Sequence, residues 1–259
     1  VLPLDLDRET EQAWDAEGAT SCEGPMIPIP LNDENPTWSR PVVTALLILG
    51  NAAAWLYELA HGVTLSVLDY GAIPQWLLRG ISNGPITLPN GHIAQLHQEV
   101  PWPLTIVSAM FMHGGWMHVI GNMWFLWIFG DNLEDRMGTV RYVLFYLVCG
   151  IIAAGTQILA TPDSVAPMVG ASGAIAGVLG GYILLYPTAR VRCLWILIVF
   201  ITTVRIPAFI LLGVWFLQQF LTPPSSGVAW QAHVGGFLAG LALVKLFVDD
   251  ERPQLYPAA

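Results

Sequence analysis

Residues 164–189 read SVAPMVGASGAIAGVLGGYILLYPTA, 26 residues without an Asp, Glu, Lys or Arg. A charge-free apolar run of that length is the signature of a membrane span. Four more such runs surround it: Pro41–Tyr57, Val100–Gly130, Tyr142–Pro162 and Ile206–Val244. Their lengths, 17 to 39 residues, decide the fold class: an all-α polytopic membrane protein. Composition agrees. Charged residues make up 11% of the 259, where a soluble domain carries about 25%. Hydrophobic residues make up 54%, and the mean hydropathy is +0.57. A disordered chain, a basic nucleic-acid-binding domain and a disulfide scaffold are excluded as classes.

Six spans account for the runs. They cover about Pro41–Ala60, Trp116–Asn132, Tyr142–Ala160, Ser172–Tyr186, Ile206–Leu221 and Ala229–Val248. A long loop from Gly62 to about Pro103 separates the first two. Pro187 ends the fourth, since proline cannot continue a helix. Arg205 and Pro207 split the region after it, so 193–204 reads as an interfacial segment. The run 222–227, TPPSSG, reads as a turn. With the N-terminus in the cytoplasm, nine basic residues (Arg8, Arg40, Arg136, Arg141, Arg190, Arg192, Arg205, Lys245, Arg252) fall inside and only Arg79 outside. Both termini are then cytoplasmic. Spans two, four and six enter the bilayer from the outer face.

The net charge of −9 is misleading, because residues 1–25 hold seven acids and one base. That stretch has no apolar h-region and reads as an unstructured acidic extension or a mis-called start, with Met26 as the alternative beginning. The chain divides into a disordered acidic tail over 1–39, a six-span unit over 40–248 and a short C-terminal tail over 249–259. Cys22, Cys149 and Cys193 have no metal or disulfide spacing and read as small apolar fillers.

Polar residues within spans are costly, and so are functional candidates. His118 and Asn122, four apart, share one helical face. They are either donors aimed into a cavity or polar glue between helices. His113 precedes the helix, separated from it by Gly114-Gly115. Ser172 is either an N-cap or a nucleophile. Gly173, Gly177 and Gly181 follow it every four residues and let another backbone come close. His233 shares a face with Gly236 and Gly240, a groove that would dock the glycine-lined fourth span. Ser172 to Tyr186 is 15 residues, roughly 22 Å of helix in a core about 30 Å thick, which puts Ser172 roughly 8 Å below the outer boundary. The irregular backbone before it then needs a protein-lined, wet cavity. A serine, two histidines and an asparagine around such a cavity point to nucleophilic catalysis. His233 would be the base, and Asn122, His118 and the Ser172 N–H the oxyanion donors. No acidic residue lies near to orient the histidine, so a Ser–His dyad is expected. A zinc reading lacks H-E-x-x-H and a third ligand.

Three strings together resemble the rhomboid family of intramembrane serine proteases: HGGWMHVIGN at 113–122, GASG at 170–173, and AHVGG at 232–236 with Gly240. Glu134, Arg136 and Gly138 resemble a structural motif of that family. The resemblance covers about residues 40–248. It implies a six-helix rhomboid-like bundle, with Ser172 as nucleophile and His233 as base. His118, Asn122 and Gly170 would serve the oxyanion and substrate, while His113, Gly173, Gly177, Gly236, Gly240, Glu134 and Arg136 would be structural. It further implies serine endopeptidase activity on single-span membrane proteins, cut near the outer end of the span. The first loop would lie partly in the outer leaflet and the fifth span would act as a lateral gate. Partners would be transmembrane substrates and the lipid bilayer, with no nucleic acid, cofactor or metal expected. No feature sets an oligomeric state. The compact plan suggests a bacterial inner membrane. Two departures stand out: Trp102 is followed by Pro103 where the family often has arginine, and Ala176 stands where a tyrosine often packs on the histidine. The competing readings are an inactive rhomboid-like protein that binds client helices, and a small channel or transporter. Retention of both Ser172 and His233 argues against the first, and the lack of repeats against the second.

Overall fold

A computed structural model describes residues 28–87, 93–197, 200–223 and 226–251. The acidic segment 1–25 with Cys22, part of the 222–227 turn and most of the C-terminal tail lie outside the described residues. The described chain is mostly helical, with two small antiparallel sheets beside the bundle. In chain order it forms β1 (Ile29–Asp33), α1 (Val42–His61), α2 (Val63–Tyr70), α3 (Pro74–Arg79), β2 (Asn83–Thr87), β3 (Ile93–His97) and α4 (Thr105–Ser108). Then follow α5 (Trp116–Met137), α6 (Thr139–Ala160), α7 (Ser172–Leu185), β4 (Arg190–Leu197), β5 (Phe200–Pro207), α8 (Ala208–Gln219) and α9 (Trp230–Phe247). Among these, α1, α6 and α9 are long and apolar enough to cross a membrane, and α7 and α8 are shorter apolar helices. The protein is an integral membrane protein. The second span runs on to Met137, past the expected Asn132, because its polar last turns hold other parts of the fold.

Glu134 shows how. Its carboxylate accepts the N–H groups of Val43 and Thr44 at 2.8 Å each and the Thr44 hydroxyl at 2.9 Å. These are donors that the first turn of α1 leaves unpaired, and a negative charge there also suits the helix dipole. Arg136 donates to the Asp249 carbonyl at 2.9 Å and so ties down the chain after α9. Gly138, at φ +74°, then turns α5 into α6.

Two expectations need correction. Segment 193–204, read without any strand, contributes residues 193–197 to β4 and 200–204 to β5, which pair antiparallel from Arg190↔Pro207 to Leu197↔Phe200. The segment is rich in Val, Ile and Thr, which suit a pleated surface, and Val191 and Cys193 alternate inward against Arg190 and Arg192 outward. Nor is residue stretch 28–39 a disordered tail, because β1 pairs antiparallel with β4 and completes the sheet. Side chains fasten it to the bundle. The Tyr182 hydroxyl and the Asn132 amide donate to Asp33 Oδ2 at 2.6 and 2.8 Å. Asn35 donates to Asn132, and Trp124 Nε1 donates to the Pro30 carbonyl at 2.6 Å. The long loop between the first two spans is also structured. It folds as α2, α3 and the β2–β3 hairpin around Leu68, Ile73, Trp76 and Leu96.

Burial pushes the Asp33 carboxyl up from 3.8 to about 7; Asp131 acts in the same direction and the Tyr182 hydroxyl against it. A folded pKa above the unfolded one means the folded chain holds the proton more tightly. The contribution to stability is therefore full in acid and is lost as pH rises from about 4 to about 7. Asp33→Asn should flatten that slope. The expected result is a melting temperature in detergent that falls less for the variant than for the native chain between pH 5 and pH 8.

Candidate active site

α5, α7 and α9 begin at the same end of the bundle, and their first turns converge. Ser172 opens α7 and His233 lies in the first turn of α9. Glycines set the distance between them. Gly173 and Gly177 of α7 face Gly236 and Gly240 of α9, backbone against backbone. A Cβ on Gly236 would overlap the Gly173 carbonyl, and one on Gly240 the Gly177 carbonyl. Helices without side chains at the joint approach closely enough for two short side chains to meet. His233 Nε2 lies 2.8 Å from Ser172 Oγ.

The other polar candidates gather at the same point. Gly170, just before α7, has φ +118° and donates its N–H to the Ala109 carbonyl at 2.8 Å. A side chain there is barred twice over. The φ is one that L residues rarely adopt, and a Cβ would lie 2.5 Å from His118 Nε2. His118 and Asn122, one turn apart on α5, both face this glycine. Asn122 Nδ2 is buried and has no hydrogen-bond partner among the described residues. An amide donor in that condition costs stability unless something accepts from it. His113 lies behind His118, with ring centroids 5.1 Å apart and edge to face.

Three supporting residues escape a reading of the sequence. Glu58 of α1 is completely buried, and both its oxygens accept the His113 N–H, at 3.0 and 3.1 Å. It thereby fixes the loop from which α5 starts. Gln157 of α6 accepts from the Ala232 N–H at 3.3 Å, next to the histidine. Gln219, the last residue of α8, lies 2.7 Å from His233 Nδ1 through its Oε1. The only signal for each was a polar residue in an apolar helix, and that does not say which way it faces. The Ala176 position is fully buried on α7, and Trp215 of α8 instead stands beside the histidine ring, at 5.9 Å between centroids. Among the described residues no group of three His, Cys, Asp or Glu side chains is arranged to hold a metal ion.

Chemically, a hydroxyl hydrogen-bonded to an imidazole can be deprotonated as it attacks a carbonyl carbon. An unpaired buried amide at the same place can stabilise an oxyanion. The sequence model of one family, described as the Rhomboid domain, matches residues 101–249. The chain is similar to RHOMBOID-like protein 5 of Arabidopsis thaliana, 30% identical over 156 residues that make up 58% of this chain and 45% of that protein. It is similar to RHOMBOID-like protein 6, mitochondrial, of the same plant, 32% identical over 53% of this chain and 41% of the relative. It is also similar to Rhomboid-like protease 3 of Toxoplasma gondii, 29% identical over 54% of this chain and 49% of the relative. The chain thus spans about half the length of the curated relatives it matches.

Proposed function

The chain belongs to the rhomboid family, and from that premise we propose that it is an intramembrane serine endopeptidase whose dyad is Ser172 and His233. The observation that carries the reading is the 2.8 Å contact between His233 Nε2 and Ser172 Oγ. Neutral His233 takes the hydroxyl proton as Oγ attacks the scissile carbonyl carbon. The carbonyl oxygen becomes an oxyanion and accepts from the Asn122 amide, His118 and the Ser172 N–H. His233 then returns the proton to the leaving amine, and the C–N bond breaks to leave an acyl-serine. Water, deprotonated by His233, attacks the ester, and collapse frees the carboxylic acid and restores Ser172.

Substrates are membrane proteins whose spans reach this end of the bundle. The depth of the site favours a cut near one membrane face. The nine-to-one distribution of Lys and Arg supports an orientation with both termini cytoplasmic and the site in the outer half of the bilayer. One relative is named as mitochondrial, so the similarity argues for a bilayer and not for one compartment.

A fluorophosphonate probe applied to membranes containing the full chain tests this. The activated oxygen attacks the probe's phosphorus, the P–F bond breaks and fluoride leaves, and a covalent phosphonyl-serine remains. Mass spectrometry is expected to find the adduct on Ser172, and none after His233→Ala. A folded chain that stays unlabelled would overturn the proposal and leave a family member that binds membrane proteins without cutting them.

A further inference from the structure

His233 has two ring nitrogens, and only one arrangement of protons on them makes it a base toward Ser172. Nε2 must carry the lone pair, so the proton of the neutral ring must sit on Nδ1. Something has to choose that tautomer and stop the ring from turning. Serine hydrolases on other folds use a carboxylate for this purpose. Among the described residues, no carboxylate hydrogen-bonds to His233.

The Nδ1 side is taken by Gln219, with Oε1 at 2.7 Å. A glutamine amide can face a ring nitrogen with either its oxygen or its nitrogen, and the two choices select opposite tautomers. Here the choice is made by a second bond. Gln219 Nε2 donates to the carbonyl of Trp215, one turn earlier in α8, at 2.9 Å. Reversing the amide would set its oxygen against the Trp215 carbonyl oxygen and forfeit that bond. Oε1 therefore points at His233, and an oxygen can only accept. Nδ1 must bring the proton, and Nε2 is left bare toward the Ser172 hydroxyl. The same turn of α8 places the Trp215 ring beside the imidazole, so one helix supplies both the polar and the apolar restraint. Gln219 is itself buried, at 8% exposure, which limits competition by water for Nδ1. An amide does this without adding a charge to an apolar interior, where an unpaired carboxylate would be costly.

We propose that Gln219 is a positioning residue for the reaction of Ser172 and His233, completing a Ser–His–Gln relay in which α8 fixes the tautomer of the base. The inference rests on the protease reading. Because the orienting group sits on α8 and the dyad on α7 and α9, a displacement of α8 would disarm the base without touching either dyad residue.

The test uses the full chain in liposomes and a tagged fluorophosphonate. For Gln219→Leu, which keeps the bulk but accepts no hydrogen bond, the maximal inactivation rate is expected to fall about 10–100-fold with little change in the concentration giving half that rate. Gln219→Glu keeps an acceptor toward Nδ1 and, with a proton on its other oxygen, a donor toward the Trp215 carbonyl, so it is expected to stay within a few-fold of the native rate. A merely structural side chain would not give this split: loss of packing would lower the melting temperature and treat both variants alike. Nitrogen-15 spectra of the unmutated, histidine-labelled chain, assigned by difference from His233→Ala, give a second reading that needs no Gln219 variant. Protonated Nδ1 and bare Nε2 are expected. A native rate for Gln219→Leu, or a proton on Nε2 in the native chain, overturns the role of Gln219. Failure of the native chain to take the probe at all overturns the protease reading instead, and the nitrogen spectra still judge the tautomer.

Discussion

Ser172→Ala is expected to stop cleavage of a transmembrane substrate in liposomes, with a rate loss on the order of 10⁴-fold or more, while the protein still folds. The two halves of that expectation have different sources. The rate falls because the alanine methyl cannot form the acyl bond, and among the described residues no other hydroxyl hydrogen-bonds to His233 Nε2. Stability changes little because the substitution deletes one hydrogen bond at the mouth of a helix, worth about 1 kcal/mol. The helix joint below it is untouched, since it is built from Gly173, Gly177, Gly236 and Gly240. His233→Ala should be as inactive, because the two residues act as one unit and their losses do not add. Asn122→Ala should be milder, about 10²–10³-fold in kcat, the typical loss for one oxyanion donor. It should also leave the melting temperature unchanged or slightly raised, since Asn122 Nδ2 is a buried donor with no partner among the described residues. Cleavage by purified Ser172→Ala at more than a trace of the native rate would show that the nucleophile lies elsewhere.

Legibility in the sequence followed the physics of each signal. Charge-free runs located the long helices, because a bilayer imposes length and apolarity together. Glycines four apart on the fourth and sixth spans indicated which helices meet, because only a bare backbone tolerates the approach seen between Gly173 and Gly236. The β4–β5 hairpin was missed because its strands are as apolar as a helix. The clue was the Arg190–Cys193 alternation, a period of two over four residues. β1 could not be read at all, since the partner that makes Ile29–Asp33 a strand lies some 160 residues away in the chain. Glu58 and Gln219 were hidden for the same reason: their value lies in a bond across helices, to His113 and to His233, and no spacing within one helix encodes it.

Gly240→Ala should damage stability and activity together, although it lies outside the dyad. Its Cβ would fall inside the contact distance of the Gly177 carbonyl oxygen and carbon, which belong to backbone and cannot rotate away. α7 and α9 would have to separate by on the order of 1 Å to relieve the overlap, a strain of about 1–3 kcal/mol. Ser172 and His233 sit at the end of these same two helices, so the separation is carried directly into the 2.8 Å contact between Oγ and Nε2. A misplacement of about 1 Å at a reacting pair can cost on the order of 10²-fold in rate. The expected outcome is thus a double loss, a lower melting temperature in detergent together with at least that reduction in fluorophosphonate labelling. Gly155→Ala in α6 is the control. Nothing lies within 4 Å of the new methyl group, and alanine in place of glycine favours a helix interior by about 0.5–1 kcal/mol. That variant should label at the native rate and melt no lower. Equal behaviour of the two substitutions would mean that the glycine joint between α7 and α9 does not set the distance on which the hydroxyl–imidazole contact depends.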